Sequence, residues 1–96
     1  VINYTRGNLK KLEQIFTDLD YTIRYEKGNF NSGYCLVEMK KIVVINKFYD
    51  TEGIINVLLD ILSTVLVLED MLSAVSLKFY KQILRAQELN IEEVTA

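Results

Sequence analysis

Histidine is absent from this chain, which removes the commonest general base, the Ser-His and Cys-His nucleophile pairs and every imidazole metal site. The single cysteine, Cys35, supports neither a thiolate zinc site nor an intramolecular disulfide. Between Tyr34 and Leu36 it reads as a small buried hydrophobe of a strand. What remains for chemistry is carboxylate, amide and phenol. Glu26 and Glu38 could approach across neighbouring strands for acid–base work, although glutamates at strand ends are far more often solvated. No catalytic residue, metal ligand or cofactor is assigned, and the reading leans against an enzyme.

The most site-like stretch is the loop Gly28-Asn29-Phe30-Asn31-Ser32-Gly33. Two glycines permit unusual backbone angles there, and amides and a hydroxyl flank an aromatic ring. With its neighbours it makes Arg24, Glu26, Asn29, Phe30, Asn31 and Tyr34 the candidate small-ligand residues, with Tyr25, Phe30 and Tyr34 at the rim of any cleft. The loop lacks the lysine and following helix of a P-loop and the spacing of a dinucleotide loop. The same residues suit a plain hairpin connection whose Phe30 folds back onto the core.

Six tyrosines, with Arg24, Lys27, Lys40, Lys41 and Lys47, invite comparison with sheets that stack single-stranded nucleic acid. The charge density is low for that role and no RNP-like pattern appears, so nucleic acid is not the expected partner. The net charge is −2, divided as +3 over residues 1–48 and −5 over residues 49–96. That asymmetry fits head-to-tail or protein-partner electrostatics.

These residues need elements to position them. Leu9, Leu12, Ile15, Phe16 and Leu19 fall at helical spacing and predict a helix over residues 5–19. Tyr21, Ile23 and Tyr25 alternate with polar residues and predict a strand. A second strand over 34–38 and a third over 42–46 follow after short connections, which predicts antiparallel neighbours. The expected fold is α+β in the order α-β-β-β-α-α, a three-stranded antiparallel meander with three helices. In a meander the third strand, apolar on both faces, sits at an edge and is an association hazard.

A second helix starts after Asp50, the expected cap with Thr51 as the alternative, and Glu52 places negative charge in the first turn, where the dipole favours it. Its polar stripe is only Asn56, Asp60 and Ser63, so it is expected to be buried on most sides. Residues 65–68 fit a linker or a continued helix. A third helix starts near Glu69 or Ser73 and reaches about Leu89, with apolar stripes on two faces and an acidic, frayed end over 90–96. Ninety-six residues with half of them hydrophobic make one domain with one core. The longest apolar region, 54–68, falls short of the roughly 20 residues a bilayer span needs. With no basic-then-apolar start and a lone cysteine, the cytoplasm is the expected compartment.

Helix, short sheet, then a helix entered from an apolar strand resembles the front half of small zinc metallopeptidases whose active helix carries HExxH. The matching stretch here is Asn56-Val57-Leu58-Leu59-Asp60, which has neither ligand histidine nor the catalytic glutamate, so the likeness implies scaffold without chemistry. The stretches YTIRYEKGNFNSGYCLVE (21–38) and VVINKFYDTEG (43–53) resemble a family of short bacterial proteins of unknown function. That resemblance implies a single α+β domain and supplies no activity.

The apolar surface exceeds what three strands and three helices should hide internally. The chain is therefore expected to form a homodimer or bind a protein partner. The surface expected to carry it is Ile42, Val43, Val44 and Ile45 on the third strand, with Leu66, Leu68, Leu72, Leu77, Tyr80 and Leu84.

Overall fold

The computed structural model describes residues 3–29, 32–37 and 40–95. The elements run α1 (Arg6–Asp18), β1 (Tyr21–Glu26), β2 (Gly33–Val37), β3 (Lys40–Asn46), α2 (Thr51–Thr64), a 3-10 turn (Glu69–Met71) and α3 (Ala74–Thr95). No helix among the described residues is long and apolar enough to cross a membrane.

Local chemistry sets the helix starts. Thr5 caps α1, its Oγ1 accepting from the Asn8 N–H at 3.1 Å. Asp50 caps α2, accepting from the Gly53 N–H at 2.8 Å, and each cap satisfies one of the N–H groups that a helix start leaves without a partner. After Thr64 the chain turns extended at Val65. Residues 65–68 are thus a linker, and α3 runs through the stretch expected to fray, as far as Thr95.

The sheet is not a meander. Its strand order is β1-β3-β2, with β3 parallel to β1 (Tyr21 opposite Lys41 through Glu26 opposite Asn46) and antiparallel to β2. The third strand is therefore central. A short connection fixes the relative direction of two strands but does not require them to be neighbours. β1 and β2 run oppositely with a gap of two strand spacings, roughly 10 Å, and β3 fills it. β2 thereby serves as the crossover that a parallel pair needs, and the centre of the sheet is where a strand apolar on both faces belongs.

Val43 and Ile45 are fully enclosed, whereas Ile42 and Val44, pointing the other way, are half-buried. α1 lies against β1, and α2 against β3 and β2. The helices thus cover one face of the sheet, and the opposite face, carrying Thr22, Arg24, Ile42 and Val44, is open. The core joins Leu12, Ile15, Phe16 and Leu19 of α1 and its C-cap, Ile55, Leu58, Ile61 and Leu62 of α2, the inward residues of β3, and Leu72, Phe79 and Ile83. Phe16 meets Tyr21 edge-on at 5.8 Å. α3 packs on α1.

One buried polar residue follows from this topology. The β1–β2 loop must pass over the end of β3, where Asn46 is only 6% exposed. Its backbone N–H donates to Ser32 Oγ at 2.9 Å, its Nδ2 to the Gly28 carbonyl at 2.8 Å, and its Oδ1 accepts from the Phe48 N–H at 3.2 Å. A buried amide is tolerated because its groups are bonded, and here it ties the loop across the strand.

Candidate functional site

Because β1 and β3 are parallel, their carboxyl ends open on the same side of the molecule, beside the starts of α1 and α2. A cleft of about 590 Å³ lies there, lined by Arg6, Lys10 and Glu13 of α1, Tyr25 of β1, and Tyr49, Asp50 and Thr51 at the entrance to α2, with Leu9 and Ile54 beneath. Crevices at the carboxyl ends of strands are the usual location of ligands in open sheets with parallel pairs.

The two acids of the cleft are committed to neighbours. The Tyr25 hydroxyl donates to the Glu13 carboxylate, and the Asp50 carboxylate holds the cap of α2. Partial burial, reinforced by the hydrogen bond and the charge of Glu13, pushes the Tyr25 phenol well above its usual range, so it is a neutral donor near neutrality and not a base. The cations are not so engaged, because the one ion pair among the described residues joins Arg24 to Glu26 at 2.7 Å, elsewhere on the molecule. The cleft thus offers two unpaired cations, a phenol and a hydroxyl. That set can bind a polar or anionic group, but it holds no paired nucleophile and base. Among the described residues no three carboxylates or thiols stand close enough together to hold a metal ion.

The residues proposed from sequence for a ligand site are not brought together. Arg24 and Glu26 lie on the open face of the sheet, bonded to one another, and Asn29 is exposed near the loop. Phe30 and Asn31 lie outside the described residues, as does Glu38. Tyr34 is paired with Val43 in the sheet. The loop's described hydrogen bonds serve to fasten it to Asn46. Tyr25 does stand on a cleft, but one whose other walls are α1 and the start of α2. Arg6 and Asp50 are more than forty positions apart, and no local pattern announces their meeting.

The surface proposed for association is likewise divided. Val43, Ile45 and Leu72 are in the core, and Ile42 and Val44 are half-buried on the open sheet face. Leu66 and Leu68 are exposed on the extended linker, Leu84 is 38% exposed, and Leu77 and Tyr80 are half-buried on the core's margin. The stretch aligned above with a zinc helix places Asn56 and Asp60 on the exposed side of α2, where Asn56 Oδ1 accepts from the Tyr4 hydroxyl at 3.1 Å. No protein-family model, curated protein or solved structure matches the chain.

Proposed function

We propose that this chain is a non-catalytic domain that acts by associating with a second copy of itself. The observation that carries the reading is apolar surface left uncovered after the core has closed: Leu66 is 79% and Val75 70% exposed, with Leu68 and Leu84 also in solvent. Exposed apolar side chains along a linker and the helix that follows it suit an interface better than a solvated surface. The test is the solution mass of the full chain, by sedimentation equilibrium, over a wide concentration range. A reversible dimer is the expected outcome, and a monomer at the highest concentration would end the proposal.

A second reading rests on a different observation, the unpaired Arg6 and Lys10 in a cleft whose acids are already bonded. It makes the chain a binder of a small anionic ligand. Thermal-shift screening of anionic metabolites should then find one that stabilises the wild type and loses its effect on the Arg6→Ala/Lys10→Ala protein. No stabilising compound in such a library would count against it.

A further inference from the structure

α3 has 22 residues and α1, the helix it packs on, has 13. The two run in opposite directions. The Ser73 N–H, at the start of α3, donates to the Asp18 carboxylate at the end of α1, and further along Lys11 Nζ lies 5.6 Å from the Phe79 ring centroid. At about 1.5 Å of rise per residue in both helices, α1 begins beside residues 84–85, and the rest of α3 continues past it. The stripe Ser76, Phe79 and Ile83 faces the core and is buried. A second stripe, Leu77, Tyr80 and Leu84, lies on the flank of the helix, and the heptad positions that continue it are Gln87, Ile91 and Val94. That is the spacing of a coiled-coil seam.

The charges of α3 are sorted by half. Residues 74–85 carry Lys78, Lys81 and Arg85 and no acid, and residues 86–95 carry Glu88, Glu92 and Glu93 and no base. The helix dipole favours the reverse order, so α3 by itself has its charges the wrong way round. Within the chain the Asp18 carboxylate meets the dipole at the start of α3, on the Ser73 N–H. Among the described residues, however, none of Lys78, Lys81 and Arg85 has an ion-pair partner, and α1 alongside carries the cations Arg6, Lys10 and Lys11 as well as the acids Glu13 and Asp18.

Resting on the self-association reading above, we infer that two copies of α3 pair antiparallel about a two-fold axis near residues 85–86, each setting its basic half against the acidic half of the other. One register satisfies the whole seam: position 77 opposite 94, 80 opposite 91, and 84 opposite 87, two apolar layers and one Leu–Gln layer repeated by symmetry. Parallel pairing would set like charges side by side. An unrelated helix would explain the seam but not why the charges complement their own reversal. The overhang beyond α1 is then the portion that lies along the partner's basic half.

The test is charge exchange read as mass, with the full chain. Lys78→Glu/Lys81→Glu/Arg85→Glu and Glu88→Lys/Glu92→Lys/Glu93→Lys should each raise the dimer dissociation constant at least about a hundredfold, since several attractive pairs become repulsive. An equimolar mixture of the two should form a heterodimer. Each exchange moves α3 toward the charge order its dipole prefers, so loss of the dimer would not reflect loss of the helix, and circular dichroism checks this; should either protein fail to fold, Lys81→Glu and Glu88→Lys replace the pair. Leu84→Glu should also dissociate the dimer, and Gln82→Glu, an exposed charge change off the seam, should not. A wild-type dimer that survives both exchanges and Leu84→Glu would overturn this interface while leaving self-association standing. So would a mixture that associates no better than its components. A wild-type monomer would remove both.

Discussion

β3 and α3, like α2, are apolar on more than one side, and the fold treats β3 and α3 oppositely. β3 is placed between two strands and beneath the helices, so both of its edges are hydrogen-bonded and its inward residues Val43 and Ile45 are fully enclosed. Among its described residues α3 is fully buried along one stripe, only partly along the stripe of Leu77, Tyr80 and Leu84, and it overruns the helix it packs on. The difference is geometric. A strand can be enclosed by neighbours of its own length in the plane of the sheet, whereas a helix needs a partner along its whole length for each apolar stripe, and α1 is too short to serve.

The contrast can be broken at either element. Ile45→Ala should cost about 3 to 4 kcal/mol, as large-to-small changes in a closed core do, while Leu84→Ala should cost the dilute, monomeric fold less than about 1 kcal/mol; urea melts of both at low concentration make the comparison. Equal losses would mean that α3 is enclosed as fully as β3.

The next effect concerns the loop that allows β3 to be central. Asn46→Ala leaves the Gly28 carbonyl and the Phe48 N–H without their side-chain partners, and should cost about 2 to 3 kcal/mol. Hydrogen exchange should locate the loosening at residues 27–32 and 47–49. Protection lost evenly over the chain would count against a role confined to the crossing.

On α3 the covered stripe is itself imperfect, because the buried Ser76 Oγ lies near the Asp18 carboxylate without a well-formed hydrogen bond to any described residue. Ser76→Ala should stabilise the fold by about 1 kcal/mol, through relief of that desolvation and better helix propensity. A destabilised Ser76→Ala would show that the hydroxyl has a partner after all.

The smallest effect is pH dependence at the junction of α1 and α3. Partial desolvation would raise the Asp18 carboxyl, but the Ser73 N–H and the Gln14 amide, both donating to it, hold it below its usual value. A carboxyl lowered on folding stabilises the fold above its unfolded pKa of about 3.9, and that contribution is lost as the pH falls through the folded value. The fall in melting temperature between pH 7 and pH 3 should therefore be smaller for Asp18→Asn than for the wild type. An identical fall in the two proteins would remove Asp18 from the linkage.

The elements were legible because their signals are local. Asp50 as a cap, the 3–4 spacing of Leu12, Ile15, Phe16 and Leu19, and the alternation of Tyr21, Ile23 and Tyr25 each lie within a few residues. The pairing of the strands was not legible, because a connection length constrains direction and reach but leaves open which strand fills the gap. The cleft has no local signature for a related reason. Arg6, Lys10 and Tyr49 look like ordinary surface residues until a parallel β1–β3 pair brings two strand ends and two helix starts to one place.

By itself the sequence determined the order and kinds of elements, the absence of histidine chemistry and an excess of apolar residues, since propensity, capping and composition act over short range or over no range at all. Only the tertiary structure decided that the third strand lies at the centre, that Arg24 and Glu26 bond to one another away from the cleft, and which leucines stay in water. Those outcomes depend on which distant segments share an edge or a face, and no window of sequence contains that information.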